Sequence, residues 1–370
     1  MSPTSKVKLN YLFLEVLQVE TQKRPYCNLA LNENYFKNKL KKILNSSDFE
    51  IITDFIIKKS VQNLRIFGIK IPEECYNLLI KSFAELSTIS LVNTQLTDHF
   101  FNILSKNAES LRKLKHLKLV GNSISTKAAE HLQKFLVKSS SIELLDVGSC
   151  SLTPITFAMI ADGVWKCKSI KSLNMSNLQS HSLTSSIDGQ KIGFLIAILM
   201  KQTNLTEIHF GSCRLKENDI EPIAEYLKEN QNRLLVLDLR SNQIGSGVKY
   251  LIEAIASNSS SKLLELNISH NSLGEIGGEE IAHNLCKTNL KYLNIGHNEI
   301  PAHTMNFILQ TIKKPKLLKI LCMFGNKFNS TTGNILNRQI DAGVFCENCI
   351  DVKIVKDENI YKIVRTEILC

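Results

Sequence analysis

The chain has 370 residues, 44% apolar and 22% charged, a balance that excludes wholesale disorder. Its 45 lysines and arginines against 35 aspartates and glutamates give a net charge of +10, spread without a basic tail, so acidic partners or nucleic acid are permitted but not required. The longest apolar run, Gly193 to Met200, is far shorter than the ~20 residues of a membrane-spanning helix, so no membrane association is expected.

The chain opens MSPTSKVKLNYLFLEV, where a brief apolar stretch is broken by Asn10 and Glu15. No secretory leader is expected from that pattern, and ten cysteines are too dilute for a disulfide scaffold. The expected location is cytoplasmic, with a nuclear one possible, and not secreted. Leu12, Leu14, Val16 and Leu17, then Phe36, Leu40, Ile43 and Leu44, then Phe49, Ile52, Phe55 and Ile56 predict helices. Residues 1–60 are therefore expected to form a helical amino-terminal cap.

From Val61 onward a repeat organises the chain. The pattern Leu-x-x-Leu-x-Leu-x-x-Asn-x-Leu, with conservative swaps, starts at Leu86, Leu114, Ile142, Ile170, Leu205, Leu234, Leu263, Leu290 and Leu318, and a degenerate copy opens at Val61. Successive starts differ by 28, 28, 28, 35, 29, 29, 27 and 28 residues. Within a unit, Leu117 and Leu119 alternate with His116 and Lys118, the period of a short strand with one apolar face. Ala128, Ala129, Leu132, Phe135 and Leu136 come next at helical spacing, and Gly245, Gly247, Gly277 and Gly278 are expected in loops entering two such helices. Between strand and helix, Asn122, Asn242, Asn271, Asn298 and Asn326 hold equivalent turn positions, and Cys150 and Cys213 take the same slot in two other copies. An amide there can bond the backbone groups a turn leaves unpaired, at a cost of about 1–3 kcal/mol if lost.

Strand followed by helix, repeated with one handedness, stacks into a solenoid. Neighbouring strands sit ~4.8 Å apart and packed helices ~8–10 Å apart, so the stack must bend toward its strands. On these residues the chain resembles the leucine-rich-repeat superfamily, and the unit length with its Asn/Cys alternation resembles the ribonuclease-inhibitor-like subclass. The implied fold is α/β: a right-handed solenoid, or horseshoe, with a parallel sheet on the concave face and helices on the convex face. Residues 61–328 are assigned to a leucine-rich-repeat domain of nine to ten repeats. The 35-residue spacing marks an insertion around 179–189, expected to be an exposed loop.

Residues 329–370 are expected to be a carboxy-terminal cap, with VKIVK and IYKIV flanking Asp357 to Asn359 as a β-hairpin. Cys346 and Cys349 form a lone Cys-x-x-Cys with only Cys370 after it, which falls short of the four ligands of structural zinc. His270 and His297 hold equivalent positions in adjacent repeats and are expected to be ordinary solvent-facing histidines.

No nucleotide-binding, hydrolase or zinc-protease motif occurs, so a non-enzyme with no cofactor or metal is expected. The leading expectation is a monomeric scaffold that binds a protein through the concave face. The alternative is a nucleic-acid or ribonucleoprotein-associated factor acting through basic surface; a small-GTPase regulator is a third. The resemblance would give that regulator an acidic tail, which residues 329–370 lack, and a ribonuclease inhibitor proper needs an acidic horseshoe. Candidate partner-binding residues on the concave strands are Lys118, His209, Asp238, Arg240, Glu265, Tyr292, Asn294 and Phe324. For Phe324 and its neighbour Ile320, the competing expectation is that the carboxy-terminal cap covers them.

Overall fold

A computed structural model describes residues 28–32, 45–178, 192–312, 318–345, 347–357 and 360–366. The expected helical segments at 9–27 and 33–44, the insertion at 179–189, and Cys346 and Cys370 lie outside them. The chain divides into two compact units, Met1–Ser180 and His181–Cys370.

In unit 1, strands β1 (Asn28–Asn32), β2 (Asn63–Phe67), β3 (Thr88–Val92), β4 (His116–Lys118), β5 (Leu144–Asp146) and β6 (Ser172–Asn174) pair in sequence order, every pair parallel. Parallel neighbours need a crossover, and helices supply it: α1 (Ser46–Lys58), α2 (Tyr76–Ser82), α3 (Asp98–Lys106), α4 (Thr126–Lys138) and α5 (Pro154–Lys166). From β2 onward each strand begins two residues after its repeat start, so the x-Leu-x centre of the motif forms the strand. Leu117, Leu145 and Leu173 are aligned by register and wholly buried, which gives the sheet one apolar side. Helix α4 buries Ala128, Ala129, Leu132, Phe135 and Leu136 against it. Local chemistry starts the helices: Asn45 and Asp48 form a reciprocal capping box on α1, and Thr153 with Thr156 does the same on α5 ahead of Pro154.

Strand β1 departs from the helical expectation for the first 60 residues. Leu29 and Leu31 alternate into the core beside Leu64 and Ile66 of β2, so this segment extends the sheet.

Unit 2 repeats the plan with helices α6 (Ile192–Gln202), α7 (Glu217–Lys228), α8 (Val248–Ser257), α9 (Gly274–Asn284), α10 (Ala302–Thr311) and α11 (Ser330–Asp341). Its strands β7 (Glu207–His209), β8 (Val236–Asp238), β9 (Glu265–Asn267), β10 (Tyr292–Asn294) and β11 (Ile320–Cys322) are again parallel and in sequence order. Gly277 and Gly278 lie inside α9 rather than in its entry loop. A Cβ on Gly278 would sit 2.7 Å from Thr304 Cγ2, so only glycine lets α9 approach α10 this closely.

An antiparallel hairpin, β12 (Val352–Asp357) with β13 (Ile360–Arg365), ends the described chain. Just before it, Ile350 bridges Leu321 in parallel, and the Asp351 carboxylate accepts the backbone N–H groups of Met323 at 2.7 Å and Phe324 at 3.1 Å. The edge of β11 is thus covered by chain that is not a further repeat.

Candidate binding surface

The motif asparagines link successive turns, Asn122, Asn242, Asn271 and Asn298 buried and Asn326 half-buried. In unit 1, Asn122 accepts the N–H groups of Thr94 at 3.0 Å and Leu96 at 3.3 Å, and donates to the carbonyls of Leu91 and Leu119. Asn242 treats Cys213, Leu215, Phe210 and Leu239 the same way in unit 2. Asn298 accepts from Asn271 N–H at 2.7 Å, and Asn326 accepts from Asn298 and Ile300. Asn271 departs from the rule: its amide donates to Leu239, Ile268 and Ser269, while its Oδ1 is buried without a hydrogen-bond partner. Cys150 donates to the Leu119 carbonyl at 3.2 Å, and burial pushes its thiol up to about 12, so it fills the slot as an inert neutral group. Cys213 lies 3.3 Å from the Gly211 carbonyl in the same role.

Because the inward strand residues are consumed by the core, the alternate ones line the sheet face. In unit 1 a groove of about 470 Å³ runs along that face, lined by Asn28, Asn63, Arg65, Thr88, Ser90 and Lys118 among others. Arg65 is exposed and Lys118 half-buried; Asp146 follows Lys118 in register. His116 stays neutral at physiological pH, since burial and the nearby Lys118 lower it.

In unit 2 the structure joins three of the expected residues into one cluster. His209 Nδ1 lies 3.4 Å from Asp238 Oδ2, and Arg240 Nε lies 3.5 Å from the same oxygen. Glu207, which the motif reading passed over, meets His209 Nε2 at 2.8 Å. Burial alone would lower His209, but hydrogen bonds to Asp238 and Glu207, reinforced by their charges, outweigh it and raise the imidazole to about 9. A protonated histidine thus sits between two carboxylates on the sheet face. Glu265 is exposed one strand on, in register with Val236 and Tyr292. Asn294 donates to the Tyr292 hydroxyl at 3.4 Å.

Phe324 is placed differently. The Arg365 guanidinium of β13 lies 5.5 Å over its ring and His297 packs against its edge at 5.7 Å, so the cap contributes to covering it. Cys322 is 1% exposed, and both it and Cys349 are disulfide-bonded. Cys75, Cys150, Cys167 and Cys286 are free thiols. The rings of His270 and His297 stack in parallel with centroids 4.3 Å apart. Among the described residues no group of three or more His, Cys, Asp or Glu is placed to hold a metal, and no helix is long and apolar enough to cross a membrane.

A family model described as Leucine Rich repeat matches residues 259–282 and 286–300, the turns and helices around Asn271 and Asn298. The mouse ribonuclease inhibitor is 26% identical over 206 residues, covering 54% of this chain. The repeat and the fold are those of leucine-rich-repeat solenoids, and the chain is similar to the ribonuclease-inhibitor-like type. Protein CARMIL of Dictyostelium discoideum is 21% identical over 177 residues, covering 48% of the chain. The chain spans 43% of the inhibitor's length and 16% of CARMIL's. The solved structure of the yeast Rad7 and Elc1 complex contains a similar chain, matched over 97% of this chain and 97% of that one, at 14% identity and a TM-score of 0.46.

Proposed function

We propose that the protein is a non-catalytic, monomeric scaffold of the cytoplasm or nucleus that binds a protein partner through its sheet face, without cofactor or metal. The observation that carries this reading is the division of labour along each strand. Alternate residues are locked in the core, so the intervening ones are presented from a rigid backbone, and little ordering entropy opposes binding. Arg65 and Lys118 in unit 1 suit carboxylates on the partner. Glu207, Asp238 and Glu265 with Tyr292 in unit 2 suit basic and aromatic groups. Nucleic acid is the weaker reading, because three carboxylates on the unit 2 sheet face repel phosphate.

Proximity labelling in cells tests the proposal. Two sheet-face pairs, Arg65→Glu with Lys118→Glu and Glu265→Lys with Tyr292→Ala, are compared with the helix-face pair Lys127→Ala and Lys138→Ala. Loss of the same labelled protein in both sheet-face variants, with the helix-face variant unchanged, is the expected result. Loss only in the helix-face variant overturns it.

A further inference from the structure

Helix α6 breaks the amphipathic rule that α4 obeys. Its sequence IGFLIAILMKQ is apolar all the way round until its last two residues. Ile192, Ile196, Leu199 and Met200 are buried, yet Phe194 and Ile198 point outward with 52% and 49% of their surface exposed. A surface helix ordinarily carries polar residues on that side. One turn apart, these two side chains form a single apolar ridge.

The ridge is one wall of a groove. Gly193 lets α6 press against the start of α7: a Cβ there would fall 2.0 Å from the Asp219 carbonyl oxygen. From that close approach the helices enclose a groove of about 470 Å³ whose floor includes Ala197, Pro222 and Tyr226. Its far rim is acidic. Glu221, Glu225 and Glu229 recur every fourth residue along α7 and just past its end, all lining the groove. Lys201 neutralises Glu229 at 2.7 Å and Lys228 reaches Glu225 at 2.7 Å, while Glu221 has no ion-pair partner among the described residues.

We infer that this groove is a second docking site, on the helix side of unit 2, for a basic amphipathic helix of another protein. Apolar side chains at three- and four-residue spacing would enter between Phe194, Ile198 and Tyr226, and flanking lysines or arginines would meet Glu221 and Glu225. Helix α7 has 12 residues, about 18 Å, which matches a partner helix of roughly three turns. The charge argues for a basic partner in particular: a chain carrying +10 overall disfavours a cationic peptide everywhere except where carboxylates are concentrated.

Fluorescence anisotropy with a labelled peptide of about 15 residues, leucine at helical spacing and lysine elsewhere, tests the site on the full chain. The control peptide carries glutamate in place of lysine. The lysine peptide is expected to bind at physiological salt and the glutamate peptide not to. Phe194→Ser with Ile198→Ser should weaken binding at least tenfold without lowering the melting temperature. Glu221→Lys with Glu225→Lys, at exposed positions where misfolding is not a concern, should abolish the preference for lysine. Absent binding, equal binding of both peptides, or indifference to the charge reversal overturns the inference. So does concentration-dependent dimerisation that the Phe194→Ser and Ile198→Ser changes remove, since a second copy is then the occupant.

Discussion

In unit 1 the slot eight residues past each repeat start holds Ile69, Thr94, Asn122, Cys150 and Leu178; in unit 2 it holds Cys213, Asn242, Asn271, Asn298 and the half-buried Asn326. One asparagine stands against four. Asn298 shows how such a residue spans repeats, accepting a backbone N–H from the turn of Asn271 and giving its amide protons to the carbonyls of Ile268 and Ile295. Leu178 and Ile69 offer only packing, and Thr94 is itself served by Asn122 through both its N–H and its hydroxyl. The same stacked geometry is therefore reached by side-chain cross-links in one region and mainly by backbone bonds and apolar packing in the other. The sheet faces differ too: Arg65 and Lys118 with Asp146 in unit 1, Glu207, Asp238 and Glu265 with Arg240 and His209 in unit 2.

Substitution in the slot is expected to have the largest effect on stability. Asn298→Ala removes the acceptor of Asn271 N–H and two donors to buried carbonyls, and should cost about 3 kcal/mol in urea denaturation. Asn271→Ala should cost distinctly less, about 2 kcal/mol, because its Oδ1 already lacks a partner. In unit 1, Asn122→Ala should match Asn298→Ala, whereas Cys150→Ala should cost only about 1 kcal/mol, since a thiol donates weakly. Equal losses at all four positions would mean that packing, not hydrogen bonding, sets the slot's contribution.

Covering the last strand is the next largest effect. Asp351→Ala leaves the amides of Met323 and Phe324 without their acceptor at the β11 edge, an expected loss of about 1–2 kcal/mol. Asp351→Asn keeps an acceptor oxygen and removes a carboxylate whose affinity for protons is raised by burial, so it should lose less. Denaturation midpoints of the two variants separate hydrogen bonding from charge. If both fall equally, the carboxylate's charge is what holds the edge.

How far the sequence disclosed these features depends on period. Strands and helices were legible because Leu117, Leu145 and Leu266 mark a fixed distance from each repeat start, and a twofold alternation admits one register. Strand β1 carried the same signal in Leu29 and Leu31, but without the repeat around it a five-residue alternation is short enough to be absorbed into a helical pattern. The sheet-face cluster was half legible. His209, Asp238 and Arg240 fall on outward positions, but the pairing of Glu207 with His209 depends on rotamers that no spacing encodes. Asp351 and Arg365 were invisible for a related reason: they act on β11 and its turn from non-repeating chain, where no register connects them to their targets. The α6 groove was present in the sequence as the apolar run Gly193 to Met200, whose length excludes a membrane span but does not tell which of its residues face outward.

The smallest effect expected concerns the charge on the unit 2 sheet face. His209 is half-buried, and burial opposes its protonation, but Asp238 and Glu207 raise it from an ordinary 6.5 to about 9. A base raised in the folded state binds its proton more tightly there than when unfolded, so protonation favours folding. The stabilisation is complete below pH 6.5, where both states are protonated, and disappears as pH rises through about 9. Over the same interval the sheet face loses a positive charge and becomes more acidic. Denaturation midpoints of wild type and His209→Gln should therefore differ by a constant amount below pH 6.5 and converge above pH 9, and the imidazole signals of His209 should titrate near the upper end of that range. Titration near 6.5 with parallel midpoint curves would mean that the two carboxylates do not hold the ring in solution. The difference between the faces would then rest on Glu207, Asp238 and Glu265 alone.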